Sequence, residues 1–466
     1  MQLISFSVSN FKSIKEEATI SFVADPRDSS HYRSLNDNEP FGKLLPALAL
    51  FGANGSGKSN LLSALVFFRK KISGIDIHSV FRSTSKNSIH QNTEIVPMDY
   101  WTDIPIFSDN NGSKSDTPTC FRLSFISGVV FDYAISFLKG EIEEEILWRQ
   151  VSPNEEPEVL FRRKGNEIIT SVFSEDDVIP GKKEKYEIKG NYISTRMPVL
   201  LANKFCYYPC AIISNYINIC LLDYGAVLYN HEWVSKIVSN HRILTNRKIN
   251  IPTLTAEENL RNMIMLFNYF GCPVTGFFIP TKPGKDEIQF IYKNRTVSLS
   301  NESTGNQKLI GIVFMLLRSI RNGGTLVIDE VESGFHEILA FKLIELIKAI
   351  NEYRFQRNEK LENSSSKRTM NGLVKRKQSR NQVQLLFSTH NTKLLDPNLL
   401  RKDQIWFSTK NDDGESEYYS LSDFSDVGII DDFQKEYLKG DFKAIPISDV
   451  NTDTIIQELI DSKVLF

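Results

Sequence analysis

The segment Gly52-Ala-Asn-Gly-Ser-Gly-Lys-Ser59 constrains this chain more than any other stretch. Its glycines let backbone N–H groups turn inward around an anion. Its lysine supplies a point charge, and its serine hydroxyl is a ligand for a hard cation. The flanks suit this Walker A pattern. The apolar run Leu44 to Phe51 reads as a buried strand, and Asn60 to Lys71 carries Leu61, Leu62, Leu65 and Phe68 at helical spacing. A chance glycine turn lacks that frame. Lys58 would reach the β and γ phosphates of a nucleoside triphosphate, and Ser59 would coordinate magnesium.

Three further segments add to it. Thr325-Leu-Val-Ile-Asp-Glu330 fits Walker B, a buried strand that delivers Asp329 to the magnesium and sets Glu330 to polarise an attacking water. Gln384-Leu-Leu-Phe-Ser-Thr-His390 is another apolar strand, and a neutral His390 at its end could hydrogen-bond the γ-phosphate or the water. On its own, His390 reads as a structural histidine; one strand after Walker B it reads as a switch. Leu299-Ser-Asn-Glu-Ser-Thr-Gly-Asn-Gln307 opens a helix predicted over Thr304 to Arg321. There Ser303 and Gly305 would offer a hydroxyl and backbone N–H groups to an anion, although Ser303 also suits a plain N-cap.

The 55 Lys and Arg residues nearly balance the 57 Asp and Glu residues, for a net charge of −2 over 466 residues. That excludes a globally basic nucleic-acid coat and a globally acidic disordered chain. The charge is uneven: Arg354 to Arg380 holds nine Lys/Arg and two Glu, and it reads as a basic loop inserted between a helix (His336 to Tyr353) and a strand (Val383 to Ser388). Residues 72 to 118 read as polar loop, and 120 to 150 as an antiparallel meander through Phe121, Leu123, Phe125, Phe131, Tyr133, Ile135 and Phe137. Helical patterning covers 196 to 270. Five cysteines, at 120, 206, 210, 220 and 272, are an odd number and form no zinc set. Reduced thiols and a cytoplasmic setting are expected. The first residues lack the pattern of a signal peptide, and no apolar run reaches the length of a membrane span.

The motif order (Walker A, serine–glycine signature, Walker B with adjacent glutamate, strand-end histidine) resembles an ABC-type ATPase head of the SMC/RecF clan. Phe6-Ser-Val-Ser-Asn-Phe-Lys-Ser13 is similar to the first strand of such heads. A closer resemblance is to the AAA-type ATPases of bacterial abortive-infection and other anti-phage operons. It is carried by Asn10-Phe-Lys-Ser-Ile14, Phe51 to Asn60, Glu302-Ser303 with Gly305, Ile328-Asp-Glu-Val-Glu-Ser333 with His336, and Phe387-Ser-Thr-His-Asn391. Asp403-Gln-Ile-Trp-Phe407, Tyr437-Leu-Lys-Gly440 and Ala444-Ile-Pro446 extend it, so that it covers about residues 1 to 140 and 260 to 446. Ser-Thr-Gly-Asn replaces Ser-Gly-Gly-Gln in the signature, and His336 stands where transporters have aspartate. Gln91 is the only nearby Q-loop candidate.

The resemblance implies an α/β P-loop NTPase: an ABC-type ATPase head with a mixed central sheet, an antiparallel β subdomain and an inserted helical lobe. Its parts would be 1–150, a lobe over 151–275, and 276–466. It implies ATP and Mg2+. Asn54, Gly55, Gly57, Lys58, Ser59, Asn60 and Lys12 would bind the nucleotide, Ser59 and Asp329 the metal, and Lys58, Glu330 and His390 would catalyse. Ser303 and Gly305 would act on the ATP of an opposing head, so the unit is at least a homodimer of heads, with higher homo-oligomers as an extension. In such a setting the chain is a sensor or scaffold ATPase of anti-phage defence that governs a separate effector protein, a toxin or nuclease. The alternative is an SMC/RecF-like DNA-binding ATPase of repair or recombination, with DNA on the Arg354–Arg380 loop. No membrane contact and no intrinsic nuclease are expected, since the acids after His390 (Asp412, Asp413, Asp431, Asp432) fall in polar loops.

Overall fold

The computed structural model describes residues 2–38, 40–73, 116–172, 222–223, 256–278, 288–365, 382–424, 432–445 and 452–462. Gln91 and residues 74–115 of the expected polar loop, most of the expected helical stretch 196–270 with Cys206, Cys210 and Cys220, Asp431, and residues 366–380 lie outside these.

The chain opens on strands β1 (Gln2–Ser9) and β2 (Ala18–Ser21), and a small pair, β3 (Asn36–Asp37) and β4 (Lys43–Leu44), precedes the Walker A strand β5 (Ala47–Gly52). Helix α1 (Lys58–Ser73) follows the glycine loop. A meander then runs through β6 (Thr119–Ile126), β7 (Val130–Leu138), β8 (Glu141–Gln150), β9 (Glu158–Lys164) and β10 (Glu167–Ser171). With β1 and β2 it makes an antiparallel sheet of order β10-β9-β8-β7-β6-β1-β2.

The central sheet joins both halves of the sequence. Its order is β11 (Leu222–Asp223), β15 (Gly324–Ile328), β16 (Val383–Ser388), β5, β17 (Ile405–Lys410) and β18 (Ser416–Ser420). All its pairings are parallel except β17 with β18. The sheet is mixed for that reason. A third sheet of β12 (Gly276–Phe278), β13 (Gln289–Ile291) and β14 (Thr296–Ser298) follows α2 (Ala256–Tyr269) and leads to α3 (Thr304–Asn322). Helix α4 (Ile338–Ser365) connects β15 to β16.

Burial on both faces explains why the central strands read as continuous apolar runs. Ala47, Ala49 and Phe51 of β5 face one core, with Leu326, Ile328, Leu385 and Phe387. Leu48 and Leu50 face the other, with Val327, Leu386, α1 and the inner side of the antiparallel sheet. Buried glutamines stitch the sheets together. Gln384 on β16 donates to the Leu3 carbonyl at 2.9 Å and accepts from the Leu3 N–H at 2.7 Å and the Thr325 hydroxyl at 3.0 Å. Both polar atoms of the Gln384 side chain are thereby repartnered.

Three expectations change. The boundary expected at residue 150 falls inside the antiparallel sheet, because β8 pairs with β9 and the meander continues to Ser171. At 275 the expected boundary moves upstream of α2, whose Met263, Leu266 and Phe267 lie in the core built by the C-terminal half. The basic segment is no loop over its first twelve residues, since α4 runs on to Ser365. Gln, Arg, Lys, Leu and Glu there favour helix, and no Gly or Pro interrupts. No described helix is long and apolar enough to cross a membrane.

Phe387 is fully buried between sheet and helices. Phe387→Ala is expected to destabilise the fold by about 3–5 kcal/mol, read as a lower denaturation midpoint in urea.

Candidate functional site

Strand β5 carries the chain into its glycine loop, which is braced from outside. The Tyr418 hydroxyl donates to the Gly57 carbonyl at 2.8 Å, and the hydroxyls of Ser56 and Ser408 lie 2.5 Å apart. Burial pushes the Tyr418 phenol well above its ordinary range, so it stays a donor. Gly57 has φ 113°, and a Cβ there would stand 2.2 Å from Ser416 Oγ and 2.8 Å from the Tyr418 hydroxyl. Only glycine fits. The β17–β18 hairpin thus fixes the loop's curvature, a contribution that the motif itself did not signal.

At the head of α1, Lys58 is 5% exposed and its Nζ donates to the carbonyls of Gly52 and Ala53, each at 2.8 Å. Its ammonium therefore sits inside the loop's concavity. Burial pulls its pKa down, and the carboxylates of Asp329, Glu330 and Glu332 oppose that pull. Ser59, Asn54 and Gly55 are exposed at the rim, and Asn60 Nδ2 donates to Ser13 Oγ at 2.6 Å. Lys12 (φ 51°) donates to Ser63 Oγ of α1 at 2.8 Å. Its pKa is lowered by burial and raised by Asp329. Lys12 therefore stands beside α1, where it feels the Asp329 charge.

Walker B is held by the end of β16. Ser388 Oγ bonds to Asp329 Oδ1 and accepts the Glu330 N–H at 2.7 Å. The Val331 N–H returns to the Ser388 carbonyl at 3.1 Å. Glu330 is forced to φ 47°, a left-handed conformation that costs a non-glycine residue about 1 kcal/mol or more and marks functional turns. Its side chain is exposed. Glu332 accepts from the Thr389 hydroxyl at 2.8 Å and from the His390 N–H at 2.5 Å. His390 is lowered in pKa first by burial and then by the Lys58 charge, against Glu332, Glu330 and Asp329. Both leading causes favour the neutral ring. Ser388 and Glu332 were missed in the motif reading. Their signal was faint: polar residues closing an apolar strand, and a second carboxylate two places after Walker B.

Ser303 caps α3, its Oγ accepting the Asn306 N–H at 3.2 Å, so the plain N-cap and the signature position coincide. Among the described residues Ser303 makes no hydrogen bond to the Walker A loop. The turn before it is fixed by Glu302, whose carboxylate accepts from the Tyr292 hydroxyl at 2.8 Å and from Asn306 Nδ2 at 2.8 Å. His336 Nδ1 accepts the Ile338 N–H at 3.3 Å at the start of α4.

Lys58, Asp329, Glu330, Glu332 and His390 thus meet at the carboxyl ends of three adjacent parallel strands, β15, β16 and β5. A magnesium ion bound through few protein oxygens plus phosphates suits one carboxylate and one hydroxyl, and the Ser388 bond orients that carboxylate. The strand order and the braced glycine loop define a P-loop nucleotide-binding protein of α/β fold. The chain belongs to the family described as "AAA domain, putative AbiEii toxin, Type IV TA system", matched over residues 48–198 and 291–396, more than half its length. Similar solved structures include an SMC head bound to the C-terminal winged-helix domain of ScpA (14% identity, 90% of this chain and 97% of that one, TM-score 0.41). The SMC head domain of Thermotoga maritima is another (14%, 90% and 99%, TM-score 0.35). A third is the Pyrococcus furiosus Smc head with an extended coiled coil, bound to the C-terminal domain of ScpA (14%, 90% and 96%, TM-score 0.38). No curated protein matches the chain.

Gly57→Ala is expected to weaken ATP binding at least about tenfold while the fold persists, because the loop must move off Ser416 and Tyr418. Titration with a fluorescent ATP analogue checks it.

Proposed function

We propose that this protein hydrolyses ATP with Mg2+ and that two heads close on two ATP molecules. The observation that carries this is the convergence of Lys58, Asp329, Glu330 and His390 on one set of strand ends. When ATP enters, Lys58 exchanges the Gly52 and Ala53 carbonyls for phosphate oxygens. A magnesium ion held by Ser59 and Asp329 would neutralise charge on the β and γ phosphates. Glu330 takes the proton from the attacking water, and neutral His390 orients that water or the γ-phosphate. Ser303 and Gly305, at a helix N-terminus, face the γ-phosphate of the opposing head. ATP is then both substrate and glue, and its hydrolysis loosens the pair.

The family's description names a toxin and a toxin–antitoxin system. We take that as support for anti-phage defence, with the ATP cycle holding and releasing a separate effector, toxin or nuclease, from a homodimer or larger homo-oligomer in the cytoplasm. The alternative repair reading keeps Arg357 exposed in the described part of the basic segment but loses Arg354. Arg354 is bonded to the Ile320 carbonyl and half-buried, so one of its nine cations is committed to packing.

Glu330→Gln is expected to lower ATP turnover by about 10²–10⁴-fold and to trap, with ATP and magnesium, a species of twice the monomer mass on a sizing column. An elution volume that ATP leaves unchanged counts against the sandwich. The pH profile adds a second check. Because burial and Lys58 hold His390 below the ordinary histidine value, its neutral form persists to lower pH than a free imidazole would. The acid limb of the rate should therefore lie below that ordinary value, and His390→Gln should abolish that limb.

A further inference from the structure

The signature helix and the Walker B loop of one chain are fastened to each other. Lys308, on the first turns of α3, donates from Nζ to the Ser333 carbonyl at 2.8 Å and to Ser333 Oγ at 3.0 Å. Beside it the backbones nearly touch: a Cβ on Gly305 would stand 2.4 Å from the Gly334 carbonyl oxygen. The Ser333 N–H closes a turn back onto the Glu330 carbonyl at 2.8 Å. Burial pulls the Lys308 ammonium below its ordinary value, and the Glu330 carboxylate opposes this, which places that charge near the Walker B acid. A turn of four residues, 330–333, is therefore pinned at one end to the Ser388 hydroxyl and at the other to α3.

We propose that Lys308 is a positioning residue that couples the two ATP sites of a head dimer. Its clamp on Ser333 transmits engagement of this chain's signature helix, by the opposing head's ATP, to this chain's own Glu330. The inference rests on the ATP-sandwich reading and adds to it a route between sites. A helix moves as a body, so a shift at Ser303 is carried to Lys308 one turn on. The ammonium holds two acceptors of one residue, and the turn bearing Glu330 must follow. Without Lys308, the Gly305–Gly334 approach and apolar packing remain between helix and turn, but the two hydrogen bonds to Ser333 are lost. Coupling between sites is then a free-energy term that one substitution removes, ordinarily about 5- to 150-fold in effect.

The test uses the full chain, with ATPase rate measured across ATP concentration for wild type, Lys308→Met and Lys308→Arg. Wild type is expected to show a Hill coefficient above 1. Lys308→Met should lower kcat by at least about fivefold and bring the Hill coefficient to 1. Its ATP Kd should stay within about twofold, and Lys308→Met combined with Glu330→Gln should still dimerise with ATP. Lys308→Arg should restore cooperativity. An unchanged kcat and Hill coefficient in Lys308→Met overturns the proposal, as does a wild-type Hill coefficient of 1. Loss of ATP binding and dimerisation in step with kcat also overturns it, since that is a purely structural role. Should Lys308→Met fail to fold, Ser333→Ala, which removes one acceptor, must reduce the Hill coefficient, and no change there overturns the proposal. Failure of Glu330→Gln to dimerise removes the sandwich and this coupling together, whereas a normal Glu330→Gln dimer with an unaltered Lys308→Met removes the coupling alone.

Discussion

The hydroxyl of Ser388 holds the site together. It bonds the Asp329 carboxylate, accepts the Glu330 N–H, and closes the end of β16 onto the turn after β15. Because β16 lies between β15 and β5, that one residue sets the Walker B acids opposite the glycine loop. The left-handed Glu330 is the cost of the arrangement, and the hydrogen bond from its own N–H offsets it. Strain sits where a carboxylate must leave the sheet plane, and the two-sided core beneath keeps the strand ends in register.

The same logic explains the charges. Burial pulls the Lys58 ammonium below its ordinary value, three carboxylates oppose that pull, and the lysine's field in turn disfavours a charged His390. An incoming triphosphate would meet a cation already desolvated in part. The Lys58 bonds to the Gly52 and Ala53 carbonyls occupy its donors inside the loop.

Much of the central sheet was legible in the sequence because strands buried on both faces leave unbroken apolar runs, and the glycine loop is local in sequence. Other parts were hidden for physical reasons. Strands β9 and β10 follow no simple apolar alternation, since an inward position of β9 is occupied by Arg163, fully buried and 3.6 Å from Glu145 of β8. An ion pair inside a core reads as surface. Ser388 and Lys308 were silent because their partners lie 58 and 25 residues away, distances that only the folded chain closes. Arg354 reads as part of an inserted basic loop, yet its side chain ends on a backbone carbonyl of α3. The near-neutral total of −2 therefore conceals charges used inside the fold as well as on it.

The whole mechanism turns on the strand ends around Lys58 forming a nucleotide site. Equilibrium dialysis of the full chain against labelled ATP and magnesium, for wild type and Lys58→Ala, tests it most directly. The wild type is expected to bind one ATP per chain and the variant to lose that binding. Equal binding by the two proteins, or none by the wild type, would contradict it.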